Sequence, residues 1–188
     1  MADITPRVVE GAPPLTASVE VLILGAGACG LTAALATEGA DVLVAERDAV
    51  PSGSTALSAG LIPAAGTRWQ TEAGVEDSAA RLAEDIRAKS KGTSDAVLTE
   101  AAAAAAGPAV TWLGECHGLP FELVDGFVYP GHTARRMHAM PERTGQALID
   151  RLRTAAEGAG VMILTHARAH TLYVEDGRAV AVGLTRPD

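Results

Sequence analysis

The sequence predicts an α/β domain of Rossmann type, built on a strand, a glycine turn, a helix and a second strand. Glu20–Leu24 is a short apolar run that leads directly into "GAGACG", three glycines spaced G-x-G-x-x-G. Ala28–Glu38 carries small and apolar residues at helical spacing, and Gly39 follows as a stop signal. Asp41–Glu46, "DVLVAE", is a second apolar run ending in a carboxylate. Together they predict a right-handed βαβ unit.

The remaining elements follow in chain order. Arg47–Thr71 is interrupted by Gly, Ser and Pro and predicts a long functional loop. Amphipathic spacing predicts the later helices, and "LPFELVDGFVYPG" predicts short strands or turns. The C-terminal end predicts a strand and then a hairpin. The predicted helices are Val75–Lys89, Asp95–Cys116 and Thr144–Glu157. Ser94 is the expected N-cap of the second helix, and Pro108 is expected to kink it. The predicted hairpin turn is Glu175-Asp176-Gly177.

Composition excludes several classes of protein. The 188 residues are 48% hydrophobic and 20% charged, which suits one packed domain or a piece of a larger protein. Aromatic residues make up 3%, so Ala, Val and Leu must fill the core. The net charge of −8 argues against a nucleic-acid partner, which requires clustered Lys and Arg. A phosphate ligand stays compatible with this charge, because backbone N–H groups can bind it.

The chain shows no sign of export or metal binding. Residues 1–18 lack the pattern of a signal peptide, and Pro13-Pro14 predicts an extended, loosely held arm. Cys29 and Cys116 match no metal spacing and predict no disulfide, which favours the cytoplasm. The apolar stretch "AAAAAAGPAVTWLG" is interrupted by Gly107-Pro108, so the sequence predicts no membrane span.

The glycine turn predicts a dinucleotide-binding site. Gly25 permits the sharp turn, Gly27 lets a pyrophosphate approach the backbone, and Gly30 lets the helix pack against the sheet. The intervening residues Ala26, Ala28 and Cys29 supply N–H groups at the positive end of the helix. A reactive role for Cys29 is the weaker interpretation, since a small residue in a tight turn explains it.

An acid ends the second strand at the position expected for ribose recognition. Glu46 lies 21 positions after Gly25, where a carboxylate accepts hydrogen bonds from both ribose hydroxyls. A carboxylate also repels a 2′-phosphate, which disfavours NADP. Arg47 follows directly and is included in the predicted cofactor site.

The segment after Glu46, "ERDAVPSGSTALSAGLIPAAG", resembles the fumarate reductase/succinate dehydrogenase flavoprotein superfamily. The resemblance implies a Rossmann-like FAD-binding domain of the glutathione-reductase type with a β-meander, over roughly residues 20 to 186. By position, Ser54 and Thr55 resemble donors to the phosphates. Ser58, Ala59 and Gly60 resemble the segment against the flavin ring near N5.

The resemblance carries further expectations. Ala169 falls where the family's backbone meets the adenine, and the loop lacks the histidine of members with covalently attached flavin, so noncovalent FAD is implied. The domain, expected over residues 19–188, is incomplete at its C-terminal end. The family's substrate-capping domain, its final flavin-binding segment and its catalytic residues therefore have no counterpart here. A partner subunit or further chain is implied beside the small-molecule substrate.

Other interpretations stay open. The cluster "HTARRMH", with His132, Arg135, Arg136 and His138, suits either a carboxylate substrate or a solvated loop.

The leading function is the FAD-binding part of an oxidoreductase that transfers a hydride at flavin N5 to reduce or form a C=C bond. The alternatives are an NAD-binding dehydrogenase domain and a noncatalytic fragment or subunit of a split flavoprotein.

Overall fold

The computed structural model describes residues 5–187, which form two compact units. The first unit contains the chain up to Thr55 and again from Ile149, and the second contains Ala56–Leu148, where the sequence predicted one continuous domain. The strands are β1 Arg7–Glu10, β2 Val21–Leu24, β3 Val42–Ala45, β4 Ile62–Pro63, β5 Glu122–Leu123, β6 Met137–Ala139, β7 Met162–Leu164, β8 Arg168–Glu175 and β9 Arg178–Thr185. The helices are α1 Ala28–Leu35, α2 Arg68–Glu72, α3 Ala79–Lys89, α4 Ala96–His117 and α5 Gly145–Gly158.

A parallel sheet of order β2-β3-β7 forms the centre of the first unit. The predicted α/β fold with its βαβ unit is confirmed, since α1 connects β2 to the parallel β3. Helix α1 contacts both β2 and β3, and Leu31 and Leu35 of the helix and Val44 of β3 are at most 3% exposed. Helix α1 ends earlier than expected, because the Thr37 hydroxyl donates to the Ala34 carbonyl at 2.6 Å and competes with further helical turns.

The second sheet of this unit has the order β1-β8-β9. Strands β8 and β9 form the predicted hairpin, in which Glu175 pairs with Arg178. The two loop residues, Asp176 and Gly177, have φ values of +51° and +74°, the conformation of a type I′ turn. The Asp-Gly pair therefore has the geometry that its sequence predicted.

The N-terminal arm is more ordered than the sequence suggested. Arg7–Glu10 form the strand β1, which runs parallel to β8 with Arg7 opposite Thr171. The expectation of a loosely held arm is wrong for these four residues, because they gain hydrogen bonds from a strand far along the chain. Residues 1–4, also assigned to the arm, lie outside the described part.

The second unit packs helices α2, α3 and α4 with a small antiparallel sheet of order β4-β6-β5. Helix α3 begins later than expected, because the Ser78 hydroxyl caps it by accepting from the Arg81 N–H at 3.2 Å. The N-cap of α4 is Asp95, which accepts from the Leu98 N–H at 2.8 Å. Ser94, the expected cap, bonds to the Ser90 hydroxyl at 3.0 Å instead.

Helix α4 continues through Gly107-Pro108 for 22 residues. A Cβ atom at Gly107 would lie 2.1 Å from the Ala65 carbonyl oxygen, so glycine permits close packing here. The sequence analysis excluded a membrane span because the apolar stretch is interrupted at Gly107-Pro108 and short. Since the helix continues through both residues, that reason is wrong. Among the described residues, α4 alone is long and apolar enough to cross a membrane, although a helix of a soluble core meets the same criterion.

Candidate functional site

The turn after β2 has a backbone that only glycines accommodate at two positions. Gly25 has φ +98°, and its N–H donates to the Ala45 carbonyl at 2.8 Å, which joins the turn to β3. A Cβ atom at Gly30 would lie 2.0 Å from the Gly25 carbonyl oxygen. Gly30 therefore allows the first turn of α1 to lie directly against the preceding strand.

The middle glycine faces open space instead. Gly27 has the ordinary extended values φ −75° and ψ 178°, and a Cβ atom there would approach nothing nearer than the Thr55 hydroxyl at 3.8 Å. That hydroxyl accepts a hydrogen bond from the Ala28 N–H at 3.3 Å. Gly27 gives α1 no side-chain cap, and the first helical bond is made by the Leu31 N–H. The helix thus begins with N–H donors beside a bare stretch of backbone, the arrangement that binds phosphate.

Glu46 connects the end of β3 to the glycine turn. It is 8% exposed; its Oε2 accepts from the Ala26 N–H at 2.8 Å and its Oε1 from the Asp48 N–H at 2.9 Å. The Glu46 backbone bonds to Leu164 and Ala167, the residues at and beyond the end of β7. Each carboxylate oxygen has a further lone pair, so Glu46 can hold the turn and still accept hydroxyl groups.

A cavity of about 360 Å³ lies along these residues, entirely within the first unit. Its volume is in the range of small-molecule sites. Several predicted cofactor residues line it, namely Gly25, Ala26, Gly27, Glu46, Arg47, Thr55 and Ala169. Sequence reasoning missed the other lining residues, namely Pro6, Leu24, Ala45, Asp48, Pro51, Gly53, Ile149, Ala167 and Arg168. Of these, Asp48 and Gly53 lie near predicted residues in sequence, whereas Pro6 and Ile149 carry no local signal.

The other predicted residues lie elsewhere. Ala28, Cys29, Gly30 and Ser54 belong to the first unit but do not line the described cavity; Cys29 is an exposed free thiol. Ser58, Ala59 and Gly60 belong to the second unit. There, the Ser58 hydroxyl accepts from the Gly60 N–H at 3.0 Å. Gly60, with φ +65°, packs so closely on the Thr144 carbonyl that a Cβ atom would lie 2.7 Å from its oxygen.

Two of the four members of the positive cluster in the second unit, Arg136 and His138, are buried. Arg136 is 1% exposed and forms a bidentate ion pair with Asp77, with both N–O distances 2.8 Å, and a second pair with Asp85. Burial alone raises the pKa of Asp85, but hydrogen bonds from Thr133 and Arg136 outweigh it and lower the pKa below its usual value. Arg136 thus serves the packing of this unit, so the interpretation of the cluster as a free anion-binding patch is wrong for it.

Two other members of the cluster, His138 and Arg135, also have polar partners, whereas the buried Nδ1 of His132 has no hydrogen-bond partner in the described part of the chain. His138 is fully buried, with Nε2 2.8 Å from the Thr67 hydroxyl and Nδ1 3.0 Å from the Arg136 carbonyl oxygen. Burial lowers its pKa and that of the partly buried His132. Arg135 pairs with Asp125 at the surface. A metal site is not formed by His, Cys, Asp or Glu among residues 5–187.

The strand, glycine turn, helix and acid define a dinucleotide-binding domain. Comparison with known proteins makes the class specific, since the profile of the FAD binding domain family matches residues 20–188. The chain belongs to this family, and FAD is its cofactor. The resemblance to fumarate reductase-like flavoproteins is thereby confirmed.

Curated relatives are enzymes much longer than this chain. Urocanate reductase of Eggerthella lenta is 30% identical over 182 residues, which cover 95% of this chain and 29% of the relative. A probable fumarate reductase of Shewanella frigidimarina is 31% identical over 167 residues, covering 87% of this chain and 28% of the relative. The chain therefore spans less than a third of either protein.

Solved structures show the same fold. A flavocytochrome c3 fumarate reductase in an open conformation superposes with a TM-score of 0.81 and 29% identity, over 91% of this chain and 31% of that one. The 3-ketosteroid-Δ4-(5α)-dehydrogenase from Rhodococcus jostii RHA1 superposes with a TM-score of 0.79 and 28% identity, over 97% of this chain and 45% of that one.

Proposed function

We propose that this chain supplies the FAD-binding part of an oxidoreductase that reduces or forms a C=C bond next to a carboxylate or ketone. The observation that carries the proposal is the first-unit cavity, where Glu46 lies beside the backbone of Gly25 and Gly27. The names of the relatives support the reaction class, since urocanate and fumarate are unsaturated carboxylates and a 3-ketosteroid carries an activating ketone.

The residues around the cavity fit the ADP half of FAD. The bare backbone at Gly27, beside the start of α1, suits the diphosphate, and the Thr55 hydroxyl, which accepts from the Ala28 N–H, lies next to it. Glu46 suits the ribose hydroxyls, and Ala169 the adenine. Ser58, Ala59 and Gly60 are proposed to meet the flavin ring. When bound, FAD would accept or deliver the hydride at N5.

Titration of the purified chain with FAD, with NADH and with ADP tests the cofactor assignment. We expect tight binding of FAD, a yellow protein with flavin absorbance, and competition by ADP. Binding of NADH without FAD would instead support the alternative, an NAD-binding dehydrogenase domain. The Ser- and Gly-rich segment after Glu46, which such a domain does not need, favours FAD.

The reaction class has to be tested on the whole protein, because this chain spans less than a third of the curated relatives that carry such activities in their names. We expect that reduced viologen dye is oxidised by the whole protein with an unsaturated carboxylate or enone, and that residues 1–188 alone are inactive. Failure of every unsaturated acid and enone with the flavin-loaded whole protein would contradict the reaction class. It would favour the noncatalytic alternative, a subunit of a split flavoprotein.

The cytoplasm is the compartment that we propose. Cys29 and Cys116 are both free and exposed, a state that a reducing compartment preserves. Fractionation of the native host with an antibody to this chain tests the assignment.

A further inference from the structure

The N-terminal strand β1 pairs with Thr171–Val174 of β8, the strand whose first residues, Arg168 and Ala169, line the cavity. Pro6, immediately before β1, lines the same cavity as Glu46 and Ala169. The parallel register places Arg7 opposite Thr171, so Pro6 lies beside the β8 segment that contains Ala169. The segment expected to be a loose arm therefore contributes an apolar ring to the cofactor site.

Specific bonds hold β1 in this position. The Arg7 Nε donates to the Thr171 hydroxyl at 3.3 Å, and the Gly11 N–H donates to the Val174 carbonyl at 2.8 Å. Thr171 is 2% exposed, and its hydroxyl also lies 2.8 Å from the His170 Nδ1. Bonds at both ends of β1 fix its position along β8.

The wall is irregular just before the residues that pair with β1. The pairing of β8 with β9 shifts register between Ala169 and Thr171, and the intervening His170 lies against Gly183, where a Cβ atom would be 2.9 Å from its Cε1. A bulge removes ladder bonds on one side of a strand and redirects its side chains. On its other side β8 pairs with β1 from Thr171 onward, so this pairing begins at the residue that follows the irregularity.

We propose that β1 is a positioning element of the cofactor site, which places Pro6 against the adenine of FAD and holds β8 at Thr171, two residues after Ala169. This inference rests on the proposed function, because it takes the cavity to hold the ADP half of FAD. The apolar ring of Pro6 offers a surface on which a purine can be removed from water.

The test introduces two proline substitutions, one at a time, into the chain of residues 1–188. Backbone N–H groups alternate in direction along a strand, and the Gly11 N–H faces β8, so the N–H of Val9 faces β8 and that of Val8 faces away. Val9→Pro removes a ladder donor, whereas Val8→Pro is the matched control. We expect Val9→Pro to raise the Kd for both FAD and ADP by about tenfold, which corresponds to about 1.4 kcal/mol, and Val8→Pro to leave both within about twofold.

A second variant covers the case in which Val9→Pro does not fold. Thr171→Val removes the hydroxyl that Arg7 and His170 contact, and we expect it to raise both Kd values about threefold. The control is Thr154→Val on the exposed face of α5. Thermal midpoints without ligand, measured for each variant, separate loss of affinity from loss of fold.

The outcomes distinguish the inference from the function on which it rests. If the unmodified chain binds neither FAD nor ADP, the proposed function fails, and this inference with it. If the unmodified chain binds both, and folded Val9→Pro or Thr171→Val binds them as tightly as its control, the inference alone is overturned.

Discussion

Two glycines of one turn have different structural requirements. At Gly30 a methyl group would lie 2.0 Å from the Gly25 carbonyl oxygen, whereas at Gly27 it would meet nothing nearer than 3.8 Å. The first glycine is therefore required by the packing of the chain itself. The second is required only if a ligand approaches the backbone, which makes the pair a test of the phosphate site.

We expect Gly30→Ala to lower the free energy of unfolding by about 3 kcal/mol, because the clash involves backbone that cannot move aside. Gly27→Ala should change stability by about 0.5 kcal/mol or less but raise the Kd for FAD at least about tenfold. Chemical denaturation and FAD titration measure the two effects. Undiminished FAD binding by Gly27→Ala would contradict the placement of the diphosphate at this residue.

Glu46 is a second residue whose substitution should affect both the fold and the ligand. In the unmodified chain, the N–H groups of Ala26 and Asp48 both donate to the Glu46 carboxylate. Glu46→Gln replaces one carboxylate oxygen by an NH2 group, a donor that would then face one of these N–H groups. We expect a loss of about 1–3 kcal/mol in stability and a Kd for FAD raised about tenfold or more. The matched control is Glu38→Gln at an exposed position. Equal stability and affinity in both variants would refute the prediction.

At the scale of elements, the hairpin turn between β8 and β9 depends on left-handed backbone at two consecutive residues. Gly177→Ala places a Cβ atom at φ +74° and should cost about 1 kcal/mol, a fall of about 2–4 °C in the thermal midpoint. Gly158→Ala, at the end of α5 where nothing lies within 4 Å, is the control and should not destabilise the chain. A larger fall for Gly158→Ala than for Gly177→Ala would contradict the turn assignment.

Elements with local signals could be predicted from the sequence. The βαβ unit follows from adjacent apolar runs and glycine spacing, and the hairpin from one Asp-Gly pair. Strand β1 could not be predicted, because Arg7 contacts Thr171, which lies 164 positions later in the chain. Its four residues, Arg7–Glu10, also lack the alternation of polar and apolar side chains that is typical of a strand. The same reason hid Pro6 and Ile149 from the site, since neighbours along the chain do not reveal which distant segments share a cavity.

The interpretation of "HTARRMH" shows a similar limit. The sequence displays four basic or titratable groups close together, but it does not display Asp77 and Asp85, whose carboxylates lie 59 and 51 positions before Arg136. Charge in a sequence window therefore says little about burial. In the structure Asp77 and Asp85 neutralise the Arg136 guanidinium, so the apparent binding patch is instead a buried network of ion pairs.

At the scale of the whole molecule, two histidines should make stability depend on pH near neutrality. Burial holds the pKa of His138 and of His132 below the ordinary value of 6.5. Below that pH the unfolded chain takes up protons that the folded chain does not, so stability is full above about 6.5 and falls as pH decreases toward the folded-state pKa.

We therefore expect the free energy of unfolding to fall between pH 7.5 and pH 5.5, by up to about 1.4 kcal/mol per pH unit for each histidine, and the thermal midpoint to fall with it. His138→Gln should reduce this slope, although it lowers stability at every pH because it disturbs the contact with Thr67. Substitution of the exposed His166 by Asn is the control and should leave the slope unchanged. An equal slope in His138→Gln would show that the buried imidazole is not the titrating group.

The hydrogen bond from Ala26 to the Glu46 carboxylate has a consequence for the way the protein acquires its flavin. This cross-link is made by the chain's own atoms, so the bend keeps its shape without contacts from the diphosphate. Loading should then proceed as a single bimolecular phase whose observed rate rises linearly with flavin concentration, with no slow rearrangement behind it.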